Sequence, residues 1–356
     1  MATPTSTTFP SLTSTTSTSS PSCTTAIPGH NGYVPPTACN ANWLYSPSFP
    51  AALAFAVLFG LLTLSHLFLA IVHRKRFCWV ITMAAAWETT AFILRALGSH
   101  NQQNSIISLI STLLFLLAPL WINAFVYMTA GRIIWLLHPE RKIWGLQAVK
   151  MGKWFVWLDI LSFLVQATGG VMINPGSGGN TVNIGKDVYM TGVGVQQLFI
   201  LLFLALVVRF HFDALKLERQ GLLGGSNNHD NKAGGARWKW LTYTIYAGLL
   251  LITIRIIYRL AEFSGGIDAN HNKLPFTEGY ALGLDAVPMM LALLLLAIVH
   301  PGIVLKGPES KFPSKKERKA EKKAKKAEKK GRKNDRGLLE SAGVMGKAGE
   351  WPRYKV

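Results

Sequence analysis

The chain has 356 residues, of which 49% are apolar and only 15% are charged, a balance that excludes an ordinary soluble protein. Lys and Arg number 37 against 18 Asp and Glu, and the first charged residue along the chain is Arg74. Three cysteines are too few for a disulfide scaffold and lack the paired spacing of a structural zinc site. We therefore expect a membrane protein with no metal centre and no cofactor.

Residues 1–50 form a predicted tail ahead of the first apolar stretch. Ser and Thr occupy 17 of the first 25 positions, with prolines between them, so the composition predicts a disordered extracellular segment. Cys23 and Cys39 could form one disulfide bond if this end faces an oxidising space. Two free thiols are the alternative.

Seven apolar stretches of about 20 residues follow, each long enough to cross roughly 30 Å of hydrocarbon as a helix. They are predicted at 51–72, 78–98, 105–127, 154–173, 188–209, 239–261 and 279–299. The sequence therefore predicts an all-α polytopic membrane protein, with seven transmembrane helices in a domain at 51–302. A cytoplasmic polybasic tail at 303–356 completes the chain.

Basic residues set the predicted orientation of these helices. Lys and Arg are concentrated in the first, third and fifth predicted loops, whereas the second has none. The fourth and sixth loops carry Lys186 and Lys273. Because cytoplasmic loops carry an excess of Lys and Arg, we expect the N-terminus outside and the C-terminus in the cytoplasm.

Ionisable residues inside the predicted spans are costly and are therefore candidate functional groups. Glu88 and Arg95 share one face of the second span. Arg255, Arg259 and Glu262 share one face of the sixth. We expect these polar stripes to converge on an interior substrate path. Its candidate residues are Glu88, Arg95, Asp159, Gln166, Arg255, Arg259, Glu262 and Asp285.

Two interpretations of the buried charges stay open. In the first, they are interhelical salt bridges that fix the register of the helices. In the second, Arg255 and Arg259 hold an acidic headgroup by bidentate hydrogen bonds. In a variant of this second interpretation, the carboxylates of Glu88, Asp159 and Asp285 hold an amine. Both interpretations can be true, because buried pairs that exchange partners make a bistable bundle.

Other chemistries find little support in the sequence. The segment Gly179 to Lys186 has Asn180 where a phosphate-binding loop needs glycine, so we expect no ATPase. The seventh span holds no lysine for a retinal Schiff base. His66, alone in the middle of the first span, is interpreted as a packing residue. No catalytic constellation is apparent, and we expect no enzyme activity.

A strongly basic segment lies in the C-terminal tail. Lys315 to Lys333 holds 12 Lys or Arg and 3 Glu, with alanines that favour a helix. On a cytoplasmic tail such a segment is attracted to anionic leaflet lipids. A solvated charged helix is the alternative, and nucleic-acid binding is not expected of a membrane-embedded chain.

Several short motifs occur in a fixed order along the spans. They are Tyr45-Ser46-Pro47-Ser48, Glu88 with Arg95, Ala118-Pro119 with Tyr127-Met128, Asp159 with Ser162, Gln166, Gly169 and Gly170, Gly192 with Gln196, Arg255 with Arg259 and Glu262, and Asp285 with Met289 and His300-Pro301-Gly302. In these residues the chain resembles the fungal RTA-like proteins, also called the lipid-translocating exporter family. Ala91-Phe92 stands where that family commonly has Gly-Tyr.

The resemblance covers residues 45 to 302. It implies seven helices, an outside N-terminus, and a role in lipid or sphingoid-base translocation and in resistance to toxic amphiphiles. We therefore expect a protein of the plasma membrane, or alternatively of an internal membrane, that moves a sphingoid base or phospholipid. The rival hypothesis is a seven-helix lipid or pH sensor that signals to cytoplasmic partners.

Overall fold

The structure is a computed structural model. It describes residues 24–36, 38–173, 179–221, 237–265 and 272–305, with scattered positions from 312 to 334. The chain separates into two compact units, Met1–Lys306 and Gly307–Val356. In the described part of the first unit, seven helices are long and apolar enough to cross a membrane. The predicted all-α fold with seven transmembrane helices is thereby confirmed.

The helices form a closed bundle. Consecutive helices pack against one another, and the seventh also packs against the first, while the third contacts the sixth across the interior. We name them α1 (Phe49–His73), α2 (Trp79–His100), α3 (Ser105–Leu137), α4 (Ala148–Met172), α5 (Gly179–Arg219), α6 (Arg237–Ser264) and α7 (Glu278–Val304). Large apolar side chains such as Phe68 and Ile106 stay exposed on the outer surface of the bundle. Such a surface suits contact with lipid chains, and the protein is a multi-pass integral membrane protein.

Two helices extend well beyond their predicted spans. α3 continues to Leu137, and α5 has 41 residues. At a rise of 1.5 Å per residue, α5 is about 60 Å long, roughly twice the thickness of the hydrocarbon layer. Lys186, predicted in a loop, therefore lies in α5, and Arg132 lies in α3. Lys and Arg are good helix formers, so leaving the apolar layer does not end a helix.

A short hairpin joins α3 to α4. Strand β1 (Lys142–Ile143) pairs antiparallel with strand β2 (Leu146–Gln147). Trp144 and Gly145 at the turn both have positive φ, 47° and 78°, as the tight hairpin turn with two left-handed residues requires.

Polar contacts hold the segment that precedes α1 against the rest of the bundle. The Gln102 N–H donates to the Asn31 carbonyl at 2.9 Å, and Asn42 Nδ2 donates to the Gln102 carbonyl at 3.2 Å. The Ser48 N–H donates to Glu278 Oε2 at 2.9 Å. These bonds attach the segment to the α2–α3 loop and to the start of α7.

Residues 24–36 and 38–48 of the predicted tail are described and include those that make these contacts, and the disordered tail at 1–50 stays a prediction. Cys39 is disulfide-bonded. Cys23, with the rest of the predicted tail, lies outside the described residues, so its pairing with Cys39 stays a prediction.

The second unit contains the basic segment. Its described positions between 316 and 334 are helical, in keeping with the alanines and lysines of this segment, which favour a helix. Arg332 pairs with Glu328 one turn earlier, with 3.2 Å between Nη2 and Oε1. This is an exposed pair of the kind that supports a solvated helix.

Candidate functional site

Two arginines of α6 share one carboxylate of α7. Arg255 Nε and Arg259 Nη2 each form an ion pair with Asp285, which is fully buried. Arg259 Nη1 also donates to Glu262 Oε2 at 2.8 Å, one helical turn further on. Tyr258 donates its hydroxyl to the other oxygen of Glu262 at 3.4 Å. These ion pairs join α6 to α7, as the salt-bridge interpretation requires.

A local distortion of α7 positions Asp285. Residues Leu282–Ala286 form a π-helical turn, in which the Val287 N–H donates to the Leu282 carbonyl five residues earlier. Pro288 lacks an N–H group and cannot donate the regular helical hydrogen bond to the carbonyl four residues earlier. This favours the wider π-helical turn. Such π turns are frequent at functional sites. Here the turn carries the carboxylate that both arginines share.

Glu88 of α2 lies beside this cluster. Its side chain is completely buried, and neither carboxyl oxygen has a hydrogen-bond partner among the described residues. Electrostatic interactions link it to Arg255, Asp285, Arg95 and Arg259. Glu88 is therefore a buried carboxyl group that interacts electrostatically with three arginines, and its oxygens accept no hydrogen bond from the described residues.

Arg95 is surrounded by aromatic rings rather than by carboxylates. Its guanidinium carbon lies 5.9 Å from the ring centre of Trp43 and 5.6 Å from that of Tyr45. The corresponding distances to Phe92 and Phe115 are 5.4 and 5.3 Å. Cation–π attraction of this kind holds a buried guanidinium in place. Burial also raises the pKa of Tyr45, which lies outside the spans.

A cleft between α3, α4, α5 and α6 reaches the ion cluster. Its cavity volume is about 20 Å³, room for roughly one water molecule. Its polar lining residues are Gln166, Tyr189, Gln196, Arg255 and Arg259, and Pro119 of α3 lies among the apolar ones. Gln166 Nε2 donates to Gln196 Oε1 at 2.9 Å across α4 and α5.

Two guanidinium atoms beside this cleft are buried without hydrogen-bond partners. They are Arg255 Nη2 and Arg259 Nε, as far as the described residues extend. A buried donor without a partner costs free energy that an incoming acceptor can recover. The cleft is therefore equipped to take a ligand with oxygen acceptors.

Asp159 belongs to a separate polar cluster. Asn123 Nδ2 and the Tyr127 hydroxyl both donate to Asp159 Oδ2, at 2.9 and 3.0 Å. The second carboxyl oxygen, Oδ1, has no partner in the part of the chain that the structure describes. The Tyr127 ring packs against Phe203 with 4.4 Å between ring centres, which ties this cluster to α5.

The structure brings only some of the predicted path residues together. Gln166, Arg255 and Arg259 line the cleft, and Glu262 and Asp285 hold the arginines. Glu88 neighbours that cluster, whereas Arg95 and Asp159 are held by aromatic and hydrogen-bonding partners of their own.

Sequence reasoning did not single out Asn123 as a site residue, nor did it place Tyr127 or Gln196 there. Asn123 and Tyr127 are four residues apart on α3, a spacing that puts them on one face and could have paired them with Asp159. The order of the motifs along the chain placed Gln196 in the fifth span. Its contact with Gln166 follows only from the packing of α4 on α5.

These features define a seven-helix membrane protein with a polar cleft and a buried ion cluster inside an apolar bundle. A family model described as "RTA1 like protein" matches residues 81–308. The chain belongs to the family of RTA1-like proteins, as its motifs predict.

Three relatives indicate what such proteins do. The chain is 41% identical to "Probable lipid transporter atnI" of Emericella nidulans, over 86% of this chain and 80% of the relative. It is 28% identical to "Protein RTM1" of Saccharomyces cerevisiae, over 59% of this chain and 63% of the relative. It is 25% identical to "Sphingoid long-chain base transporter RSB1" of Saccharomyces cerevisiae, over 78% of each. No solved structure matches the chain. Lipid transport is thus supported at the level of the family.

Proposed function

We propose that this protein moves an amphiphilic lipid, a sphingoid base or a phospholipid, between the two leaflets of its membrane without an ATPase of its own. The polar cleft beside Arg255 and Arg259 carries the proposal, because it brings unpartnered donors to the interior of an apolar bundle. The names of the relatives, a probable lipid transporter and a sphingoid long-chain base transporter, agree with this function.

The cleft would receive the headgroup rather than the whole lipid. Its cavity of about 20 Å³ has room for roughly one water molecule, so a headgroup would enter only as the surrounding helices separate. The acyl or alkyl chain would stay among the exposed apolar side chains of the outer bundle surface. The headgroup oxygens would accept hydrogen bonds from Arg255 Nη2 and Arg259 Nε, the two guanidinium donors of the cleft residues that have no partner among the described residues.

The working orientation is part of the proposal. We place the N-terminus outside and the basic tail in the cytoplasm of a plasma-membrane protein, on the basis of the basic loops and the family resemblance. In that orientation the tail lies beside the anionic cytoplasmic leaflet.

Reconstitution into liposomes without nucleotide tests this function. The transbilayer movement of fluorescent sphingoid base and fluorescent phospholipid is measured in separate arms, and protein-free vesicles give the passive rate. We expect the wild-type protein to raise the rate for at least one lipid and Arg255→Ala to lose that increase.

Arg209→Ala is the matched control, because Arg209 is half exposed and pairs with Asp213 outside the cleft. It should behave like the wild type. Folded wild-type protein that moves neither lipid would overturn the proposed function and favour a sensor. Normal movement by a folded Arg255→Ala variant would remove the cleft from the path.

A further inference from the structure

The buried carboxyl group of Glu88 is not explained by lipid binding. It does not line the cleft, yet it is fully buried and both of its oxygens lack hydrogen-bond partners among the described residues. A structural carboxylate buried beside arginines is expected to be bonded to them, since an unpaired buried charge is strongly destabilising. Glu88 thus has the environment of a carboxyl group that exchanges a proton.

Glu88 interacts electrostatically with charged groups of its own helix and of α6 and α7. Arg95 lies on its own helix α2, Arg255 and Arg259 on α6, and Asp285 on α7. On α1, the buried titratable group is His66, whose Nε2 lies 3.1 Å from the Leu293 carbonyl. On α3 the neighbouring contact is a hydroxyl, because Ser111 donates to the Ala91 carbonyl of α2 at 2.9 Å.

The same donors can serve either Glu88 or the lipid headgroup. Arg255 Nη2 and Arg259 Nε have no partner in the described part of the chain, and they belong to the guanidinium groups that interact electrostatically with Glu88. When Glu88 is ionised, its carboxylate competes for these donors. When Glu88 is protonated, it carries no charge to attract them, and they remain available to the headgroup in the cleft.

We propose that Glu88 is the proton-binding site that couples lipid translocation to a proton gradient. This inference rests on the proposed function. Glu88 takes one proton from the water on one side of the membrane and becomes a neutral carboxylic acid, which favours headgroup binding. After the bundle opens to the other side, the proton leaves to water, and the restored carboxylate draws the arginines away from the headgroup. Proton and lipid therefore move in the same direction.

A pH gradient across the liposomes tests the coupling. The membrane potential is held at zero with potassium and valinomycin, trapped pyranine reports internal pH, and the final leaflet distribution of each fluorescent lipid is measured. For one proton per lipid, a gradient of one pH unit should shift the ratio of lipid between leaflets up to tenfold toward the alkaline side. Adding transported lipid should also drive proton entry into the vesicles.

Glu88→Gln removes the titrating group and keeps the size of the side chain. Whatever its rate of lipid movement, its final lipid distribution should be the same with and without the gradient, and lipid-driven proton entry should disappear. Glu140→Gln is the control, because the Glu140 side chain is 64% exposed and pairs with Lys142. It should keep the wild-type response.

The outcomes separate the two proposals. Wild-type lipid movement that proceeds without a gradient and is unaffected by one would overturn proton coupling and leave the lipid function intact. A gradient response retained in Glu88→Gln would remove Glu88 from the coupling. Absence of any wild-type lipid movement would overturn the proposed function and the coupling with it. Because the wild-type proton measurement needs no variant, poor folding of Glu88→Gln does not prevent the test.

Discussion

The shared carboxylate of α7 gives the sharpest stability prediction. Asp285 is fully buried and forms ion pairs with both Arg255 and Arg259. Asp285→Asn keeps the shape of the side chain but removes the negative charge that compensates two buried guanidinium groups. Removing one partner of a buried ion pair costs about 3–5 kcal/mol, because the remaining charge is left unpaired. We expect a loss in the free energy of unfolding within this range.

An exposed pair in the same bundle provides the comparison. Arg209 Nε lies 3.2 Å from Asp213 Oδ2, and the Arg209 side chain is 54% exposed. Exposed pairs contribute only about 0.2–1 kcal/mol, so Asp213→Asn should have a small effect. Asp213 is 25% exposed and pairs with one half-exposed arginine, whereas Asp285 is fully buried against two arginines, so the comparison measures the cost of desolvated charge.

Equilibrium unfolding in mixed micelles, followed by tryptophan fluorescence, measures both variants against the wild type. A double variant, Asp285→Asn with Arg255→Gln, should lose less stability than the sum of its single changes, with a coupling of about 0.5–3 kcal/mol. If Asp285→Asn is no more destabilising than Asp213→Asn, the charges are solvated and the buried ion cluster is wrongly assigned.

Two further predictions use the same unfolding assay. A Cβ at Gly169 would come closer than 3 Å to backbone atoms of α5, including those of Tyr189, so Gly169→Ala should cost about 1–3 kcal/mol. Gly170→Ala is the control, since its Cβ meets nothing within 4 Å, and equal losses for the two would refute the close approach of α4 to α5. Tyr127→Phe removes one of the two hydrogen bonds to Asp159 Oδ2 and should cost about 1–3 kcal/mol. An unchanged free energy of unfolding would mean that the Tyr127 hydroxyl does not satisfy this carboxylate.

Much of the fold was predictable because apolar length alone identifies a membrane-spanning helix. Helical spacing also placed Arg255, Arg259 and Glu262 on one face of α6, where the structure has Arg259 bonded to Glu262. Contacts of this kind are made within one helix, so the regular spacing of residues along the helix determines them.

Contacts between helices were less predictable. Helical spacing puts Asn123 and Tyr127 on one face of α3, but whether that face meets Asp159 depends on which helices are neighbours. The order of the segment before α1 likewise depends on Asn and Gln side chains that reach backbone groups distant in sequence, as Asn42 reaches Gln102. Composition alone does not register individual hydrogen bonds of this kind.

The incomplete pairing of the buried charges helps to decide between the salt-bridge interpretation and the ligand-binding interpretation. Arg95, Arg255 and Arg259 face Glu88, Glu262 and Asp285, so the formal charges of these six groups balance. A network that served stability alone would be expected to satisfy its members, because a half-satisfied buried network is worse than an apolar core. This network does not satisfy all of its members, because Glu88 and the two guanidinium atoms beside the cleft lack partners among the described residues. The ion pairs to Asp285 explain how α6 is held to α7, whereas the unpaired donors and the unpaired carboxyl group are the observations from which a headgroup site and a proton site are proposed.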